Sequence, residues 1–222
     1  MIDYLVENKG EFMIHRNNHI TRLSKYKMVV KRMRALGMNR VFSENLADAL
    51  DITASQVRKD FSVFGITGKK KGGYQIDELL DSFNRLLGKD VMRDAVIVGY
   101  GNLGKAMAHY SGFEKEQIQI RAIFERDLEK QNPESEVPIF PIEAMIPFIK
   151  EHQIRLAILA VPNDAAQEVL DLLVQAGVQG VLNFTSIPLR VPAHVVVHDI
   201  DLNIAMETLT FYVFSGQTSK QE

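Results

Sequence analysis

The run Ala95–Gly104, AVIVGYGNLG, constrains this chain more than any other ten residues, because an apolar strand-like stretch enters a Gly-x-Gly-x-x-Gly turn that opens a helix. Gly99 suits the tight turn, Gly101 lets a pyrophosphate approach the backbone where a side chain would block it, and Gly104 lets helix and strand pack closely. The helix start offers N–H groups and positive potential to an anion. Glu125 ends the next apolar stretch 21 residues after Gly104, close to the separation of about 20 at which an acidic residue receives a ribose hydroxyl. A carboxylate there favours NAD(H) over NADP(H) by repelling a 2′-phosphate, an effect that Arg126 partly offsets.

Strand-like runs alternate with helical ones on both sides of the motif: Ala95–Val98, Gln119–Phe124, Ile139–Phe140, Leu156–Val161, Val178–Phe184 and Val195–His198. That alternation predicts an α/β unit with a parallel, helix-covered sheet. Ligands in such sheets lie beyond the carboxyl ends of the strands, so Val161-Pro162-Asn163 and Asn183-Phe184-Thr185 are expected to face the crevice of Gly99, Tyr100, Gly101, Asn102, Leu103 and Gly104. The stretch 129–137 shows little structure. A last helix over Asp201–Phe214 carries an apolar stripe of Leu202, Ala205, Leu209 and Val213, which covers either its own domain or a partner.

The charge balance divides the chain. Residues 1–90 hold 16 Lys+Arg against 11 Asp+Glu, whereas residues 91–222 hold 10 against 17. Between His15 and Lys71 there are 13 basic and 4 acidic residues, so the basic head is expected to meet a polyanion. From Ser24 to Leu36, Tyr26, Val29, Val30, Met33 and Leu36 recur at helical spacing, and Gly37 ends the run. Ser43 and Thr53 are candidate caps for two short helices joined at Asp51-Ile52-Thr53, which is helix-turn-helix spacing. The second helix then brings Ser55, Gln56, Arg58, Lys59 and Ser62 to bases or phosphates while Val57, Phe61 and Phe64 pack inward. GITGKKKGGYQI follows, two short strand-like pieces around a turn whose Lys69, Lys70 and Lys71 suit phosphate oxygens, as a wing would. A further helix over Asp77–Leu87 precedes Gly88-Lys89-Asp90. The domains are therefore expected at 1–90, 91–200 and 201–222.

No run approaches the roughly 18 apolar residues of a membrane helix, and MIDYLVENKGEF lacks a basic region followed by an apolar stretch, so a cytoplasmic protein without a membrane partner is expected. The absence of cysteine excludes disulfides, thiolate zinc sites and thiol-based redox sensing, and no metal site is expected. Three functions stay open on the residues: a DNA-binding repressor set by a dinucleotide, a repressor without ligand control, and an NAD-dependent oxidoreductase. Hydride transfer needs a substrate-binding wall and an acid or base, yet the cofactor fold consumes nearly all of the chain after the motif, and His109, His152, His194 and His198 are scattered singly.

QVRKDFSVFG at 56–65, KKKGGYQI at 69–76, VGYGNLGKAMAHYSGF at 98–113, VPNDAAQEVLDLLVQAGVQGVLNFTSIPLRVP at 161–192 and DIDLNIAMETLTF at 199–211 resemble the Rex family of redox-sensing repressors, over about residues 20–213. The resemblance implies a winged-helix domain joined to a Rossmann domain, NAD(H) as cofactor, and a homodimer that exchanges its C-terminal helix. It also implies double-stranded operator DNA as partner, released when NADH displaces the oxidised cofactor. It places Gly99–Gly104 at the pyrophosphate, Arg58 and Lys59 on the recognition helix, Lys70 in the minor groove, and Tyr110 and Asp201 in the switch. Three positions depart from the family pattern. Glu125 replaces an aspartate, Thr185-Ser186 replaces Ala-Pro, and Met28 stands where an arginine often pairs with the switch aspartate, so redox coupling is expected to be weakened.

Overall fold

The computed structural model describes the backbone of residues 9–68 and 72–215, with side chains from His19 onward, and the chain forms two compact units, Met1–Val91 and Met92–Glu222. Lys69, Lys70 and Lys71 lie outside the described residues.

The first unit is built from α1 (Lys9–Ala35), β1 (Arg40–Val41), α2 (Ser43–Leu50), α3 (Ala54–Val63), β2 (Tyr74–Gln75) and α4 (Ile76–Leu86). Leu23, Tyr26 and Val30 of α1 pack with Leu46, Val57, Phe61, Ile76, Leu80 and Phe83 into one core. The helix begins far upstream of Ser24, because the stripe reports the core-facing stretch and carries no information on where the helix starts. Leu36 falls outside the stripe: it is 74% exposed in the turn where Gly37 takes φ +83°. Ser43 does not cap α2. It is the first helical residue and buried, and the turn closes instead through the Phe42 N–H, donated to Asn45 Oδ1 at 2.9 Å. Thr53 does cap α3, its hydroxyl accepting the Gln56 N–H at 3.1 Å.

The strand-like pieces flanking the lysine turn do not pair with each other among the described residues. Instead β2 runs antiparallel to β1, with Arg40 opposite Gln75 and Val41 opposite Tyr74. Gly73 permits this approach, since its φ is +63° and a Cβ there would lie 2.6 Å from the Val41 carbonyl oxygen.

The second unit holds β3 (Arg93–Val98), α5 (Asn102–Ala108), α6 (Gly112–Lys115), β4 (Ile118–Glu125), β5 (Ile139–Pro141), α7 (Met145–Glu151), β6 (Leu156–Leu159), α8 (Ala166–Ala176), β7 (Gly180–Asn183), β8 (Val196–Asp199) and α9 (Leu202–Phe214). All six strands are parallel in the order β5-β4-β3-β6-β7-β8, the doubly wound arrangement of a Rossmann fold. Val96, Val98, Phe124 and Leu159 face one core and Ile97, Ile123 and Ile158 the other, which is why these strands read as continuous apolar runs. The strand order reverses between β3 and β6, and the crevice opens at their carboxyl ends. No residue of α9 is buried. Leu202, Ile204, Met206, Leu209, Phe211 and Phe214 are each more than half exposed, so this helix does not cover its own unit.

Candidate functional sites

The crevice of the second unit encloses about 700 Å³ and is lined by Gly99, Gly101, Asn102, Leu103, Glu125, Arg126, Val161 and Pro162 among others. Its three glycines act differently. Gly99 takes φ +98° with the Ala160 carbonyl oxygen 2.4 Å from a would-be Cβ, and a Cβ on Gly104 would collide with the Gly99 carbonyl oxygen. These two glycines fold the turn. Gly101 has no heavy atom within 4 Å of its Cβ direction, and as N-cap of α5 it supplies no side-chain hydrogen bond to the helix start. The backbone at this position is therefore uncovered by any side chain.

Glu125 ends β4 with its carboxylate gathered by backbone donors: the Tyr100 N–H at 2.6 Å, Arg126 N–H at 2.8 Å and Asp127 N–H at 2.9 Å. Its extra methylene, compared with aspartate, lets one group clamp the glycine turn to the strand end. A carboxylate offers about four lone-pair sites, so one remains unfilled by these three donors. Arg126 points its guanidinium to Glu168, Nη2 to Oε2 at 3.6 Å, while Asp127 and Lys130 pair at 2.9 Å on the rim. The Lys130 ammonium holds the Asp127 carboxyl below its ordinary range, and the carboxylate raises the Lys130 ammonium in turn.

Other predicted contacts turn away from the crevice. The Tyr100 ring lies 5.2 Å from Lys105 Nζ. Asn163 Oδ1 accepts the Ser186 N–H at 3.0 Å, which ties two strand-end loops together. Thr185 is buried, its N–H and hydroxyl both donated to Asn183 Oδ1 at 3.0 and 2.8 Å, and Asn183 Nδ2 donates to Asp199 Oδ1 at 2.7 Å. Phe184, rather than Thr185, lines the crevice with Asp127, Lys130 and Asp164. Tyr110 stands beyond the end of α5, not on it, 56% exposed and edge-on to Phe113 at 5.1 Å. Asp201 caps α9 by accepting the Asn203 and Ile204 N–H groups at 2.8 and 3.3 Å.

In the first unit, Ser55, Arg58, Lys59 and Ser62 share the exposed face of α3, with Val57 and Phe61 buried behind them and Phe64 half-buried. Arg58 Nη1 meets Glu44 Oε1 of α2 at 3.2 Å. Gln56 turns inward, donating from Nε2 to Asp60 Oδ1 at 2.8 Å. Asp60 itself is fully buried and takes both nitrogens of an Arg22 fork, at 2.6 and 2.9 Å, and the Tyr26 hydroxyl at 2.8 Å. Burial pushes the Asp60 carboxyl up, but the donors from Arg22, Tyr26 and Gln56 outweigh it and hold the group at about 2. Burial and the Asp60 contact raise the Tyr26 hydroxyl, and the same contact raises Arg22. Sequence reasoning missed Asp60, Arg22 and Glu44. The available signal was an acidic residue four positions after Gln56 on the apolar side of a basic helix.

A helix-turn-helix unit with a basic outer face, joined to a Rossmann unit with an open glycine turn, defines a two-domain regulator. Residues 17–62 match the family described as putative DNA-binding protein N-terminus, and residues 90–187 match the CoA binding domain family. The redox-sensing transcriptional repressor Rex of Pelotomaculum thermopropionicum is 38% identical over 86% of this chain and 91% of its own length. That of Bacillus subtilis is 37% identical over 86% and 89%. A Rex-family repressor, RSP, superposes with TM-score 0.84 at 30% identity over 92% of this chain and 96% of its own. RSP has been crystallised with β-NADH and with β-NAD+ and operator DNA. The chain belongs to the Rex family of transcriptional repressors.

Proposed function

We infer that this protein represses transcription by binding operator DNA through α3 and that the NADH/NAD+ balance, read in the second unit, sets its affinity. The observation that carries this reading is the open backbone at Gly101 in a Rex-family chain whose first unit exposes Arg58 and Lys59. The relatives are named as repressors, which decides against the oxidoreductase. The crevice fits a dinucleotide: the Gly101 turn and the start of α5 would hold the pyrophosphate, Glu125 a ribose hydroxyl, and Val161 and Pro162 an apolar wall. When bound, the nicotinamide supplies the signal by carrying a positive charge only in its oxidised form. What the chain contributes is binding and discrimination.

A ligand releases DNA only to the extent that it binds the low-affinity conformation better. The reading therefore requires NADH to prefer that conformation. The exposed apolar faces of α9 support a homodimer, since a second copy would cover them and a two-fold dimer presents two recognition helices to a palindromic duplex. Operator binding titrated with NADH and with NAD+ is the test. Release by NADH at concentrations where NAD+ leaves the complex intact is expected; equal responses would overturn redox sensing and leave repression standing.

A further inference from the structure

Asp60 has no exposed surface, yet four donors converge on it, two from Arg22 and one each from Tyr26 and Gln56, and His19 Nδ1 lies 2.9 Å from Oδ1. His19, Arg22 and Tyr26 all stand on α1, so one carboxylate on α3 is gripped by three side chains of another helix. A buried ion pair of this kind is weak evidence for stability, because apolar residues of similar volume often serve as well. What it supplies is geometry. An apolar contact tolerates sliding, whereas a planar guanidinium that meets both carboxylate oxygens fixes rotation as well as distance.

The rotation of α3 decides what it presents outward. At about 100° per residue, Ser55, Arg58 and Ser62 fall roughly 140–160° from Asp60, on the opposite face, and Lys59 about 100° away on its flank. Turning the helix by about 20° moves an atom some 6 Å from its axis by about 2 Å, beyond the tolerance of a hydrogen bond to a base edge. We propose that the Arg22–Asp60 fork is the positioning element of the recognition helix: it sets the rotation of α3 against α1, aims Arg58 and Lys59, and withdraws Gln56 from the DNA-facing set. This inference rests on the DNA-binding reading above, and Asp60 acts in it through other residues.

The test needs two variants and two measurements. Arg22→Lys keeps the charge and loses the fork; the double variant Arg22→Met/Asp60→Leu replaces the buried pair with apolar contact and strands no charge. The chain has no cysteine, so spin labels at Ser24→Cys and Ser62→Cys, both exposed, report the α1–α3 distance without DNA. A narrow distribution in the otherwise unaltered protein is expected to broaden or shift in both junction variants. Without labels, the affinity ratio between the palindromic duplex that the parent enriches from a random pool and a scrambled duplex should fall about tenfold, the worth of one base contact. A folded double variant that retains both the distance and the ratio would show that packing suffices and would sink the proposal, whatever Arg22→Lys does. A parent that prefers no duplex removes the DNA-binding reading instead, and the label distances still decide whether the fork sets the geometry.

Discussion

Glu125 accepts the Tyr100 backbone N–H at 2.6 Å and so fastens the glycine turn to the end of β4 with the same carboxylate that faces the crevice. Glu125→Gln removes the charge that repels a 2′-phosphate and, with its oxygen still accepting from Tyr100, sets its NH2 against the Arg126 and Asp127 N–H groups. NADH binding is expected to weaken about tenfold, in keeping with a hydrogen bond to a charged group worth about 1.5–3 kcal/mol. The preference for NADH over NADPH should narrow by more than that. Fluorescence titration with both nucleotides reads the two effects, and an unchanged preference would move discrimination from Glu125 to Arg126 or Glu168.

The three glycines of the turn should separate in mutagenesis. Gly101→Ala adds a methyl group where nothing lies within 4 Å and the backbone φ is −73°, so thermal stability should hold or rise slightly. Dinucleotide binding should be lost. Gly104→Ala places a methyl against the Gly99 carbonyl oxygen, and stability itself should fall. Thermal unfolding measured beside NADH titration distinguishes the two, and a Gly101→Ala protein that binds NADH like the parent would take the phosphates off this turn.

Both findings show which features local sequence can carry. The glycine turn, the continuous apolar character of the strands and the Thr53 cap are short-range, each fixed by residues within a few positions, and the sequence displays them. The Arg22–Asp60 fork joins residues 38 apart, and nothing near Asp60 announces its partner. The same limit explains β2 pairing with β1 rather than with residues just before the lysine turn. Thr185 is a different case: its partner Asn183 is two residues away, and its hydroxyl faces inward although its loop ends at the crevice.

Glu44 holds Arg58 at 3.2 Å on the exposed face of the helix pair, with both side chains more than half exposed. Such a pair adds little stability, but its carboxylate repels phosphates. Arg58→Ala is expected to weaken operator binding by about 1–3 kcal/mol and to relax sequence preference. Glu44→Gln should strengthen binding to scrambled duplex at low salt and leave thermal stability within about 0.5 kcal/mol. Shift assays over a salt series measure both; an Arg58→Ala protein with parental affinity would remove that residue from the interface.

The Asp60 carboxyl, held at about 2 in the folded protein against an ordinary 3.8, links stability to acid. A folded-state value below the unfolded one means that the unfolded chain binds more protons between the two. The contribution is therefore complete above about pH 4 and disappears as pH falls through 2. At 1.36 kcal/mol per unit the difference is about 2 kcal/mol. Denaturant unfolding of the parent and of Arg22→Met/Asp60→Leu from pH 5 to 2.5 isolates it, because the remaining carboxylates cancel. The stability gap should move against the parent as the solution is acidified, and parallel curves would show that Asp60 is not ionised against its neighbours in the way described.

Met28 is 63% exposed on α1, at the position where the resemblance implies an arginine partner for Asp201, while Asp201 spends Oδ1 on the first turn of α9. The resemblance implies that a charge pair favouring one arrangement of the protein is lost with that arginine. NADH can then shift operator affinity only through its remaining differential contacts, and the coupling should fall below a typical 1–3 kcal/mol, about 5- to 150-fold. Met28→Arg replaces an exposed side chain and should leave stability within about 0.5 kcal/mol. Operator affinity measured with and without saturating NADH in the parent and in Met28→Arg gives the coupling directly, and the variant should respond more strongly. A parent that already loses its operator by well over a hundredfold, or a variant with the parental response, would show that Met28 leaves the coupling intact.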